Sequence, residues 1–75
     1  MVLADVPRDR PCSIRSVDGA RTFRRRLLEL GLVPGTEVII RNVAPLGDPL
    51  EIEVRHGRLS IRKHEAAQIQ VQVKP

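Results

Sequence analysis

The stretch Leu27-Leu28-Glu29-Leu30-Gly31-Leu32-Val33-Pro34-Gly35-Thr36-Glu37-Val38 decides the fold, because the backbone must change conformation twice within it. Its first part closes a helix. Gly31 enters the left-handed region that ends helices without a Cβ penalty, and Pro34 forbids continuation. Pro34-Gly35 then turns the chain. From 36 to 43 the sequence is β-branched and apolar at Val38, Ile39, Ile40 and Val43, which predicts a strand packed on both faces for part of its length.

Upstream, Ala20, Phe23, Leu27 and Leu30 fall at spacings of three, four and three, stacking them on one helical face that Leu28 widens. Asp18 supplies an N-cap oxygen for that helix. Before it, Cys12–Val17 alternates with period two. Cys12, Ile14 and Ser16 share one face and Ser13, Arg15 and Val17 the other, as in a short first strand. Residues 1–11 carry Pro7 and Pro11 and form a turn-rich lead-in, with Leu3 and Val6 tacking it to the core.

Downstream, Ala44-Pro45-Leu46-Gly47-Asp48-Pro49-Leu50 is an apolar, proline-restricted hairpin loop. Leu50, Ile52 and Val54 alternate with Glu51, Glu53 and Arg55, a half-buried strand. His56-Gly57 makes a tight turn, Leu59 and Ile61 return, and residues 62–67 suit one helical turn. Ile69, Val71 and Val73 then alternate with Gln68, Gln70 and Gln72. The chain is therefore mainly β: about five short strands, one short helix after the first and a helical turn before the last. A small SH3-like barrel over residues 1–75, as a single domain, satisfies this order and removes exposed sheet edges.

Composition narrows the function. Seventy-five residues lie near the lower limit for a core without metal or disulfide staples. The single Cys12 forms no internal bridge, which points to a reducing, cytoplasmic setting. No charged-then-apolar leader or long apolar run is present, so neither secretion nor membrane spanning is expected. Phe23 is the only aromatic residue, too few for a base-stacking platform. The net charge of +4 rests on eleven arginines and two lysines. The pI near 10.6 suits an acidic partner, nucleic acid or an anionic membrane face.

Three motifs in register resemble the ferrous iron transport protein A family over most of the chain. Arg26, Leu27, Leu30, Gly31, Pro34, Gly35 and Val38 match the first. Ala44, Pro45, Gly47, Asp48 and Pro49 match the second, and Leu59, Ser60, Arg62, Glu65 and Ala66 the third. One departure is His56-Gly57, where the family carries a glycine followed by an aromatic residue. The resemblance implies a cytosolic, non-enzymatic accessory of bacterial ferrous iron uptake. Its partner would be the cytosolic, GTPase-bearing part of the membrane iron permease.

Two regions are candidates for that contact. Arg21, Arg24, Arg25 and Arg26 crowd the N-terminal half of the helix, where its dipole disfavours cations; Arg25 and Glu29 form an i,i+4 pair. The cluster is either a solvated face or a docking site for an acidic surface. The loop at Leu46 is backbone-restricted, which lowers the entropy lost on docking. Leu46 either projects as a binding knob or folds back over the barrel mouth while Asp48 satisfies turn amides. The expected partner surface comprises Arg24, Arg25, Leu28, Leu32, Leu46, Gly47, Asp48 and Pro49.

Metal-ligand spacing is absent. Cys12, His56, His64, Asp48, Glu51, Glu53 and Glu65 include no Cys-x-x-Cys or His-x-x-x-His pair, and Glu51, Glu53 and His56 offer at most a weak surface site. No Gly-rich phosphate loop is present and Cys12 has no neighbouring base in the sequence, so no catalytic residue and no cofactor are expected. The runner-up is a basic regulatory or nucleic-acid-binding barrel like the C-terminal domain of iron-dependent repressors. Missing aromatics and the absence of a helix-turn-helix pattern disfavour nucleic acid.

Overall fold

The computed structural model describes residues 1–55 and 57–74. The lead-in makes a 3-10 turn at Leu3–Asp5. The chain continues as β1 (Cys12–Val17), α1 (Arg21–Glu29), β2 (Glu37–Val43), β3 (Leu50–Val54), β4 (Gly57–Ile61), α2 (Lys63–Ala66) and β5 (Ile69–Val73). All neighbouring strands are antiparallel, in the order β4-β3-β2-β1-β5. The turn expected at His56-Gly57 falls partly outside the described residues, since His56 is not among them.

Two bulges bend this sheet, and each has an arginine as its extra residue. In β1, Ile14 faces Val71 and Ser16 faces Gln70, leaving Arg15 unmatched. In β2, Ile40 faces Ile52 and Asn42 faces Glu51, leaving Arg41 unmatched. A bulge increases strand twist and bends the strand, so the five strands roll around a common interior. Arg41 then ties its bend to Glu53 (3.3 Å) and to Asp9 of the lead-in (3.1 Å).

One apolar cluster fills the interior. It joins Cys12, Ile14, Val38, Ile40, Leu50, Ile52, Ile61, Ile69 and Val71 from the strands with Leu3, Val6, Leu27, Leu32 and Ala66. Ile61 and Ile69 come from strands at opposite ends of the sheet order, so the edges converge on one core. Each fully buried aliphatic side chain contributes about 1.5–3 kcal/mol relative to exposure. The lead-in is held as expected: Leu3 and Val6 are buried, and the Val71 amide donates to the Met1 carbonyl at 2.8 Å.

Three expectations of detail are corrected. The residue capping α1 is Ala20, which has no side-chain cap; the Asp18 carboxylate instead accepts from Gln70 Nε2 at 3.1 Å across the sheet. The β1 bulge reverses the face assignment beyond Arg15. Ser16 is exposed, while Val17, opposite Ile69, packs against the core. On α1 only Leu27 is fully buried: Phe23 is half-buried, and Ala20 and Leu30 are exposed. Short as it is, the helix touches the barrel along a narrow line.

Candidate functional site

The exit of α1 organises the surface around it. Gly31 sits at φ +88°. The Leu32 amide donates to the Leu27 carbonyl at 2.9 Å and the Gly31 amide to the Leu28 carbonyl at 3.0 Å. This pair of bonds is a Schellman motif, which turns the chain back so that the residue after the glycine meets the last helical turn. Leu32 is therefore driven inward, with only 1% of its surface exposed. Leu32 is withdrawn from the expected partner surface for that reason. Leu30, which helical spacing places on the buried face, is instead 48% exposed and takes the outward position expected of Leu32. Beyond it the Thr36 amide donates to Val33 at 3.0 Å and Gly35 has φ +92°, so Pro34-Gly35 forms the turn that launches β2.

The helix separates two grooves. One, of about 470 Å³, runs between α1 and the β3–β4 face; Leu30, Pro49 and Leu59 line it, and the Arg26–Glu65 ion pair crosses its rim. The other, of about 410 Å³, lies between α1 and the end of β1. Val17, Leu28 and Pro34 supply its apolar wall and Arg21, Arg24 and Arg25 its charge. Arg24, Arg25 and Leu28 thus come together as expected. Pro49 belongs to the opposite groove.

The hairpin loop is rigidly held and its leucine points outward. The Gly47 amide donates to the Ala44 carbonyl (2.7 Å) and the Ala44 amide to the Pro49 carbonyl (3.1 Å), with Gly47 at φ +86°. Leu46 is 96% exposed. Of the two alternatives for this loop, the projecting knob is the geometry found. Asp48 does satisfy an amide, that of Lys63 (3.0 Å) at the start of α2. It therefore anchors the loop across the molecule.

Glu65 performs the matching task inside α2. Its carboxylate accepts from the Arg62 amide at 2.9 Å and pairs with Arg26 on α1. Burial pushes its pKa up, but the Arg62 amide and the Arg26 guanidinium outweigh this and hold it below the usual carboxylate value. Asp48, Arg62 and Glu65, each part of a motif, thus connect the loop, α2 and α1. Sequence spacing gave no sign of this linkage, which depends on contacts 15 and 39 residues apart.

The remaining candidates are occupied elsewhere. Cys12 is buried; desolvation, reinforced by the charge of Glu37, raises its pKa, and its thiol donates to the Val38 carbonyl at 3.4 Å. Glu51 is paired with Arg58 at 2.7 Å and Glu53 with Arg41. Among the described residues no group of three or more His, Cys, Asp or Glu side chains converges. His56, named with Glu51 and Glu53, lies outside those residues. Glu29 joins no ion pair among the described residues, so the expected Arg25–Glu29 pair is not formed. No described helix is long and apolar enough to cross a membrane.

The sequence pattern of the FeoA domain matches residues 1–73. The chain belongs to the FeoA family. Fifty-seven residues, 76% of this FeoA chain, are 37% identical to part of an Fe(2+) transport protein A/Fe(2+) transporter FeoB fusion protein of Porphyromonas gingivalis. The match spans only 7% of that protein's length. The FeoA protein of Chlorobium tepidum superposes with a TM-score of 0.94 at 35% identity, over all of this chain and 71% of the other. FeoA of Stenotrophomonas maltophilia, a prokaryotic SH3 domain protein solved with zinc, gives 0.83 at 33% identity over 96% and 89%. The SH3-like fold follows. The manganese regulator SloR shares the fold alone, at 18% identity with a TM-score of 0.82 over 97% of this chain and 34% of the regulator.

Proposed function

We propose that this FeoA chain is a cytosolic, non-catalytic accessory of bacterial ferrous iron uptake that binds the cytosolic, GTPase-bearing part of the membrane iron permease. The observation carrying the proposal is the Porphyromonas gingivalis fusion, in which related sequence and the Fe(2+) transporter FeoB share one chain. Fusion holds two modules at high effective concentration, an arrangement suited to partners that work together. The distribution of side chains supports a binding role. Cys12 is buried, while Asp48 and Glu65 hold backbone amides. What faces outward is Leu46 on a braced loop together with Leu28 and the α1 arginines.

Leu46 is the contact this proposal weights most. Burying a leucine in a partner's pocket contributes about 1.5–3 kcal/mol, roughly a 10- to 150-fold change in Kd. Leu46→Asp should weaken binding to the permease's cytosolic domain by that factor, read by isothermal titration. Thermal stability should stay within about 0.5 kcal/mol of the parent, since the side chain touches little. Unchanged affinity would remove the loop from the interface.

A further inference from the structure

The geometry points to the groove between α1 and the end of β1 as a receptor for an acidic amphipathic peptide segment, with an aliphatic side chain on the apolar wall and flanking carboxylates on Arg21, Arg24 and Arg25. The inference deepens the function proposed above by naming the chemistry of the docking segment. It rests on that proposal only for which protein owns the segment.

Charge complementarity selects this occupant. Arg21, Arg24 and Arg25 gather on this groove and take part in no ion pair among the described residues. Arg10, Arg15, Arg55 and Arg62 are likewise outside ion pairs, but they do not gather: only Arg62 lines a groove, and that is the opposite one. The first turn of α1 has no acidic residue, and Ala20 gives it no side-chain cap. Arg21, in that first turn, opposes the helix dipole, so the free protein holds a cation where an incoming carboxylate would relieve it. The wall between the arginines is apolar: Leu28 is 50% exposed, Val17 is carried there by the β1 bulge, and Pro34 closes the far side. A purely anionic ligand would leave Leu28 in water, and a purely apolar one would leave three guanidinium groups unpaired. A concave site of about 410 Å³ takes side chains from a protruding segment more readily than it takes a flat lipid surface.

The test is fluorescence anisotropy with a labelled peptide whose helix presents a leucine stripe flanked by glutamates, titrated with the intact chain. Arg24→Glu/Arg25→Glu should weaken binding roughly 5- to 30-fold, the loss of two exposed charge pairs. Leu28→Ser should weaken it too, and a peptide with glutamine for glutamate should bind poorly. Urea unfolding of the charge-reversed variant, which sets a glutamate four residues before Glu29, should show a midpoint close to the parent's, so that weakened binding is not a loss of fold. Undiminished binding of the reversed variant overturns the inference. So does capture by phosphatidylglycerol vesicles that is lost in the same variants while the peptide fails to bind. A parallel titration with the permease's cytosolic domain separates the two proposals. Peptide binding without domain binding sinks the partner assignment and keeps the groove. Domain binding that the reversed variant retains sinks the groove and keeps the partner.

Discussion

Replacing Gly31 tests how the helix exit places Leu28 and Leu32. At φ +88° a Cβ would meet nothing within 4 Å, so a substitution there carries no clash, only backbone strain. Holding an L-residue in the left-handed conformation costs about 1–2 kcal/mol. Relaxing the backbone instead would break the Leu32–Leu27 and Gly31–Leu28 amide bonds and pull Leu32 from the core. Loss of that burial alone is worth about 1.5–3 kcal/mol, so the chain should keep its shape and accept the strain. Gly31→Ala should therefore lower stability by about 1–2 kcal/mol, and each kcal/mol shifts Tm by roughly 4–8 °C in a domain of this size. Gly31→Val should cost at least as much, because its β-branch restricts the backbone further. Gly31→Asn should recover most of the loss, since asparagine tolerates this region. Equilibrium urea unfolding checks the series. Equal stability of the alanine, asparagine and parent proteins would refute the strained cap.

Leu32→Ala should destabilise by about 2–5 kcal/mol in denaturant unfolding, as expected of a core residue and not of a surface contact. Asp48→Ala should cost about 0.5–1.5 kcal/mol by leaving the Lys63 amide without its acceptor, while Asp48→Asn, which keeps an oxygen, should stay close to the parent. Glu65 has a lowered pKa in the folded chain, so its contribution is complete above the unfolded value of about 4.5 and is lost as pH falls through the folded value. Acid unfolding followed by circular dichroism should show that loss below about pH 4.5, and Glu65→Gln should flatten this part of the profile.

Strand and helix order was legible because local signals agreed. Alternation marked β3 and β5, and the glycine and proline of residues 31–35 marked the break between α1 and β2. What local pattern does not specify depends on distant partners. Asp18 is a sound local cap, but Gln70 on the facing strand takes its carboxylate. Helical spacing placed Leu30 inside, whereas the returning bend after Gly31 delivers Leu32 there. Period-two alternation failed at Val17 because a bulge leaves no separate mark in a single sequence. The projection of Leu46 was one of two open alternatives, and the bonds that decide it run to Ala44, Pro49 and Lys63. The division of the candidate surface into two grooves is wholly tertiary. Arg24 and Pro49 lie on opposite sides of a helix whose seating no local pattern specifies.

The most direct measurement is an NMR titration of the isotope-labelled chain with the cytosolic GTPase domain of the same organism's ferrous iron permease. Shifts concentrated at Leu46, Gly47 and the Arg24–Leu28 face, with the buried β1 and β5 amides still, are the predicted result. A titration that moves no amide at saturating domain concentration would contradict a direct contact between this FeoA chain and that domain.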